Sequence, residues 1–328
     1  GEISLSAGFG TSGEIIGGGI KEKNFLGKGI NLDTNVEISP ESVKGRFIYA
    51  KPNFNNTDNT LFTSLKSSTT DVLTDSGYKT SELGFSLGTK YEQFQNIFLS
   101  PEIDFLIEDL ETSSKASDVL KKQEGSYTDL YFNYTINQDL RDKRYRSESG
   151  YQTFFSQEVP LISDNSEFSN AFEISKYKKL STKSDTIGKI SFYAKTITGL
   201  SDDVRISKRL GIPSSKLRGF EKGRVGPIDN NDYVGGNHVT SLNLSATLPN
   251  ILEGLDNLDV GIFLDAANIW GVDYDSSLDD KSTIRTSTGV AFNLLTPIGP
   301  LSFSFANALT KASTDKTETF RFRLGTQF

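Results

Sequence analysis

The side chains able to do covalent or metal chemistry are few in this chain, and their spacing does not suit it. Its 328 residues include one His and no Cys. A zinc site needs three or four His, Cys or carboxylate ligands at set spacing. His238, beside Gly235 and Gly236, therefore reads as a strand-edge residue. Ser156 and Asp164 lie near one another, but no Gly-x-Ser-x-Gly turn and no nearby His would activate the serine. Gly17-Gly18-Gly19 lacks the Gly-Lys-Ser/Thr ending and following helix of a phosphate loop. Asp202, Asp203, Asp229 and Asp232 flank one long loop without the ligand spacing of a calcium loop. Lys176 to Lys179 reads as a solvated strand end or as an anchor near lipid headgroups. No enzyme, metal or cofactor is expected. Arg218 lies in the long loop between Leu217 and Gly219, with Phe220 next, and Asp265 lies in a strand-like run. If the loop folds inward, cation and carboxylate can meet where the dielectric is low and the pair holds more strongly than at a surface. Gly219 lets the backbone pass closely, and Phe220 can pack the loop on a wall.

The elements that must position such a pair are strands. Successive side chains of a strand point to opposite faces, and this period of two runs along most of the chain. Ile3, Leu5, Ala7 and Phe9 alternate with Glu2, Ser4, Ser6 and Gly8. Ile30, Leu32, Val36 and Ile38 alternate with Asn31, Asp33, Asn35 and Glu37. Leu130, Phe132, Tyr134 and Ile136 oppose Asp129, Tyr131, Asn133 and Thr135. In 258–270, Val260, Ile262, Leu264 and Ala266 form the apolar face, so Asp265 points the other way. At the end Phe320, Phe322, Leu324 and Phe328 oppose Arg321, Arg323, Gly325 and Gln327. About sixteen such strands of roughly ten residues are expected, an even number as in bacterial membrane barrels. They start near 2, 13, 28, 42, 59, 79, 95, 126, 148, 166, 185, 236, 258, 283, 298 and 318. Thr11-Ser12-Gly13, Leu26-Gly27-Lys28-Gly29 and Ser39-Pro40-Glu41 read as short turns, whereas 109–124 and 198–235 read as long loops. Lys115 to Glu124 is expected to form about two helical turns.

Composition bounds the class. The chain carries 29 Gly, 23 Phe and 12 Tyr, one Trp, no Met, and a net charge of -7 from 35 Lys+Arg and 42 Asp+Glu. The absence of Met is expected of a segment of a longer chain. No apolar run approaches the ~20 residues of a spanning helix. The mean hydropathy of -0.36 still fits a membrane barrel, in which every second side chain faces water. The acidic balance argues against nucleic acid as a partner. A soluble β-sandwich shares the alternation. Long series of Phe-, Tyr-, Leu- and Ile-bearing hairpins opposed by Asp, Glu, Asn and Ser favour an all-β, 16-stranded antiparallel transmembrane β-barrel, one domain over 1–328.

Four ordered segments carry a resemblance. Leu217-Arg218-Gly219-Phe220, followed by Gly235-Gly236-Asn237, is similar to the motif of the sixth extracellular loop in the BamA family of outer-membrane protein insertases. Gly261 to Trp270, with Asp265 followed by small residues, resembles that family's penultimate-hairpin strand. Ile284 to Val290 and Thr296 to Leu301 follow in the family's order. Phe320 to Phe328 resembles the aromatic-ended signal of outer-membrane proteins. Asn24 to Gly29 matches more loosely. The family places an acidic residue in the strand after the Gly-Gly-Asn turn, and counting forward reaches Ser245.

The resemblance implies a Gram-negative outer-membrane barrel that assembles other barrels. On this resemblance, the family's upstream periplasmic domains would lie outside this chain. Its partners would be the outer-membrane lipid bilayer, nascent β-barrel proteins and accessory assembly lipoproteins. It implies that loop 198–235 re-enters the lumen, with a motif of Leu217, Arg218, Gly219 and Phe220 and with Asp265 as its partner there. It also implies a lateral seam between first and last strands, at Ile3, Leu5, Ala7, Phe320, Phe322, Leu324 and Phe328. A nascent strand could pair there by β-augmentation. A two-partner-secretion pore of the same superfamily shares the Arg-Gly-Phe loop, and a passive porin remains the alternative of another class.

Overall fold

The computed structural model describes residues 1–10, 13–144, 146–181, 183, 185–249, 257–296 and 299–324. The expected turn at Thr11 and Ser12, the segment 297–298 and the terminal Phe328 lie outside these. The first half of the chain gives β1 (Glu2–Gly10), β2 (Gly13–Phe25), β3 (Ile30–Ser39), β4 (Ser42–Lys51), β5 (Thr60–Val72), β6 (Tyr78–Phe94), β7 (Ile97–Thr112) and β8 (Gly125–Asp139). Then come β9 (Ser149–Ser163), β10 (Glu167–Lys179) and β11 (Ile187–Gly199). A two-residue hairpin, β12 (Ile228–Asp229) and β13 (Asp232–Tyr233), sits within the long connection. β14 (His238–Pro249), β15 (Leu258–Trp270), β16 (Arg285–Thr296), β17 (Gly299–Thr310) and β18 (Phe320–Leu324) complete the set.

All strands except β12 and β13 join one closed antiparallel barrel of sixteen, each beside its sequence neighbour, with β18 returning to β1. Closure removes the free edges that an open sheet would expose. The ring closes between its first and last strands. β1 pairs with β2 along its whole length, from Glu2–Lys21 to Gly10–Gly13. Among the described residues it pairs with β18 only at Ala7–Leu324, Gly8–Arg323 and Phe9–Phe322.

The alternation read from sequence sorts the barrel into two faces. One carries exposed Leu65, Leu83, Phe85, Phe172, Ile190, Leu244, Ile262 and Leu264. The other is polar and cross-linked between strands, by Ser64–Ser86 at 2.7 Å, Ser175–Ser191 at 2.8 Å and Lys66–Asp104 at 2.7 Å. Connections at the two ends also differ. The three longest (113–124, 200–237 and 271–284) all lie at the end opposite Gly1, as strand order dictates.

Those loops contribute to two apolar clusters among the described residues. Leu110, Ala116, Leu120, Ile206 and Val234 form one. Val204, Leu210, Leu217, Phe220 and Val225 of the long connection pack with Ile197, Val239, Ala267 and Ile269 in the other. The helix expected over 115–124 is shorter than two turns. It spans Asp118–Lys121, where the Ser117 side chain accepts from the Leu120 N–H. Leu120 is its buried residue, so tertiary burial at one position supports a single turn, too short to persist alone.

Candidate functional site

The connection 200–237 is gripped by charged side chains along its length. Arg205 is fully buried and reaches three strands. Its Nε donates to Glu167 Oε1 at 3.0 Å, Nη1 to Glu108 Oε2 at 3.2 Å and Nη2 to Asp129 Oδ2 at 2.6 Å. The guanidinium also lies over the Tyr127 ring, 4.4 Å from its centroid. Burial pulls this guanidinium's pKa down, but the Glu167 and Asp129 carboxylates outweigh it and leave it above the ordinary arginine value. Lys208 Nζ adds a second cation 3.5 Å from both Glu82 and Glu108. Arg209 pairs with Asp273, and Asp273 Oδ2 also accepts from Val204 N at 3.0 Å and Asn237 Nδ2 at 2.8 Å.

Further along, Arg218 and Asp265 come together. The Arg218 Nε and Nη2 donate to the two Asp265 oxygens at 2.7 Å each, and the Arg218 backbone N–H donates at 3.1 Å. This is the two-pronged geometry that makes arginine–carboxylate pairs strong. The guanidinium stacks on Phe263, 3.5 Å from the ring centroid. Asp265 is completely buried. Gly219 has φ +84°, and a Cβ there would lie 3.1 Å from Ala306 Cβ and 3.3 Å from Ser287 Cβ. The loop can run so close to β16 and β17 only with glycine at that point. Leu217 and Phe220, each 2% exposed, fill the apolar cluster around Ile269.

Ser245, reached by counting along β14, is not the residue facing Asp265. It stands opposite Phe263, whereas Asn243 stands opposite Asp265. Asn243 Nδ2 donates to Asp265 Oδ1 at 2.9 Å and to the Lys216 carbonyl at 2.7 Å. Both residues point to the same face, since a step of two preserves it; cross-strand register, invisible to counting, decides between them.

Of the residues expected at a seam, Ala7, Phe322 and Leu324 lie in the β1–β18 ladder. Ile3 and Leu5 extend beyond its described part, and Phe320 pairs with Phe305 of β17. Three residues that the sequence reading passed over tie the loop to this region. Arg321 donates to the carbonyls of Ser214 at 2.7 Å and Phe220 at 2.9 Å, and ion-pairs with Glu318. Arg323 donates to Ser214 Oγ at 3.1 Å. Asp315 receives Arg285 in a two-pronged pair at 2.9 and 3.2 Å and accepts from Gly226 N. The alternation had placed both β18 arginines opposite the phenylalanines, which was the available signal. Among the described residues no His, Asp and Glu are grouped to hold a metal ion; the acidic trio of Glu108, Asp129 and Glu167 encloses Arg205 instead.

Asp232 gives a pH prediction. Burial, with Asp229 nearby, raises its carboxyl above the usual range, and its Oδ2 is buried without a partner. The ionised form is thus the costly one in the folded loop. That cost is full above the raised pKa and vanishes as pH falls through it toward the ordinary aspartate value. Asp232→Asn is expected to slow proteolysis of 200–237 at neutral pH and to erase the gain in resistance that the parent shows on acidification. Faster cleavage of the variant at neutral pH would refute this.

A closed barrel of sixteen antiparallel strands whose longest connection is pinned to its polar face defines a class of outer-membrane β-barrel folds. The Omp85 superfamily domain matches residues 24–328. The chain belongs to that superfamily. It is similar to the outer membrane protein assembly factor BamA of Neisseria meningitidis serogroup B, 24% identical over 390 residues that take in 100% of this chain and 47% of the relative. The chain therefore spans about half the length of that relative. Its fold matches the crystal structure of BamA from Haemophilus ducreyi lacking POTRA domains 1–3, with a TM-score of 0.85, 22% identity, and coverage of 100% of this chain and 70% of that one. It matches CdiB from Escherichia coli with a TM-score of 0.66 and 13% identity, over 98% of this chain and 62% of that one.

Proposed function

We propose that the chain, as one barrel domain over 1–328, spans the outer membrane of a Gram-negative cell and assembles other β-barrel proteins into it. In this reading the apolar face meets lipid, the polar face surrounds a lumen, and loop 200–237 re-enters that lumen from the extracellular side. The end with the longest loops is the extracellular one in such barrels. The observation that carries the function is that the ring is closed by its first and last strands. β1 pairs with β18 at Ala7–Leu324, Gly8–Arg323 and Phe9–Phe322, and no chain connection joins these two neighbours. Two strands without a connection between them can separate fully once their ladder opens. Parting it would bare the N–H and C=O groups of Ala7 to Phe9, and an incoming strand could bond to them. The work is hydrogen-bond exchange, with no covalent step. Ala7, Phe322 and Leu324 would form the seam, and Ile3 and Leu5 the template beside it. Nascent barrels and accessory lipoproteins would be the partners.

Similarity to a named assembly factor over the whole chain supports this reading above that of a secretion pore. A passive porin needs an open bore, and a loop held by Arg205, Arg209 and Arg218 on the polar face argues against one.

The test is a disulfide across the registered pair, Ala7→Cys with Leu324→Cys. With the crosslink formed, assembly of client barrels in reconstituted vesicles is expected to stop, and reduction should restore it. Undiminished assembly by the oxidised protein would remove the lateral-opening mechanism.

A further inference from the structure

We propose that the lipid-facing wall of β10, β11, β14 and β15 holds a binding site for one anionic glycerophospholipid, its phosphate on Lys176 and Lys178 and an acyl chain in the groove beside them. The proposal rests on the membrane-spanning reading above.

Two cross-strand rows on the apolar face build the site. In the first, Lys176 stands opposite Ile190, Ile190 opposite Leu244, and Leu244 opposite Leu264. In the second, Lys178 stands opposite Gly188, Gly188 opposite Ala246, and Ala246 opposite Ile262. Each row begins with a lysine and continues into apolar side chains. The second row is low because Gly188 and Ala246 are small, so a groove of about 610 Å³ lies along it, walled by Leu180, Ile190, Leu244, Ile262 and Leu264. Across four strands at ~4.8 Å spacing the rows extend about 14 Å, enough for most of an acyl chain. They also run inward from the rim. Lys178 is next to the end of β10, whereas Ile262 is the fifth residue of β15.

The lysines are out of place on this face unless something anionic meets them. Both are exposed. On their other side they face Tyr151 and Ser149, not a carboxylate. Charge in a lipid-facing wall is costly, and lysines near its margin reach toward the headgroup layer. The turn 180–186 they adjoin is at the short-loop end, the periplasmic one in this reading, where the leaflet offers phosphate headgroups. Two ammonium groups at the mouth of an apolar groove match one phosphodiester with its chain, and each lysine near a membrane surface favours anionic lipid by about fivefold.

The experiment uses the whole chain, refolded, with folding followed by heat-modifiable gel mobility. Native mass spectrometry would compare retention of phosphatidylglycerol and phosphatidylcholine bearing the same acyl chains. The parent should hold one phosphatidylglycerol in preference. K176Q/K178Q should lower that retention about tenfold or more. K51Q/K79Q, which removes the same charge elsewhere on the barrel, should leave it unchanged. Ala246→Phe, filling the floor of the groove, should weaken both lipids. Excess inorganic phosphate should fail to displace the lipid, because the groove holds the chain. Equal retention of both lipids by the parent, full retention by K176Q/K178Q, equal loss in K51Q/K79Q, or displacement by phosphate would each overturn the site. Flotation with vesicles separates this from the broader reading: a folded parent that fails to float ends both, and one that floats without lipid preference ends only the site.

Discussion

Replacing Arg205 by methionine should lower the barrel's resistance to unfolding by about 3–5 kcal/mol, the cost of breaking a buried ion network by removing one partner. Glu108, Asp129 and Glu167 would be left facing one another with Lys208 as the remaining cation, at 3.5 Å from Glu108. Like charges so confined repel one another across the three strands. Arg205→Lys should rescue little, because a single ammonium cannot reproduce a planar fork that reaches three carboxylates. Methionine is expected to be far better tolerated once Asp129→Asn and Glu167→Gln remove the stranded charge. Urea midpoints of the refolded proteins would check the series. A midpoint for Arg205→Met equal to the parent's would mean that the network contributes nothing net.

Arg218→Ala should free the middle of the loop and depress the proposed assembly activity more than it depresses stability. It removes the two-pronged bond and the Phe263 stacking, and it leaves a fully buried Asp265 with Asn243 as its remaining side-chain donor. Stranding that carboxylate is again worth about 3–5 kcal/mol, felt at the loop since β15 keeps its ladders to β14 and β16. Adding Asp265→Asn should recover stability without recovering assembly, because the loop still lacks its tether. Limited proteolysis of 200–237 and client assembly in vesicles are the two readouts. Parental protease resistance in Arg218→Ala would refute the tether.

The strands were legible because period-two alternation is a local signal. Expected starts such as 42 for β4, 126 for β8 and 258 for β15 fall within a residue of the observed ones. Arg218 and Asp265 were legible through resemblance joined to the parity of 258–270. Arg205 was not. Its meaning depends on Glu108, Asp129 and Glu167, which parity places on the polar face but which only register brings to one height on three strands. Asn243 was missed in favour of Ser245 for the same reason. The helix over 115–124 was overestimated because propensity cannot tell that only Leu120 finds a buried place.

The loop's grip has a mechanical corollary. Its basic side chains hold β6, β7, β8, β10 and β15, and Arg321 and Arg323 of β18 hold it in return, while β1 to β5 carry none of these bonds among the described residues. The connection thus braces the arc from β6 to β18 like a strut, and toward β1 to β5 its described ion pair is the one from Arg224 to Asp75, in the turn that follows β5. Were the ring to part, the last strand would be the door post and the first strand the leaf that swings.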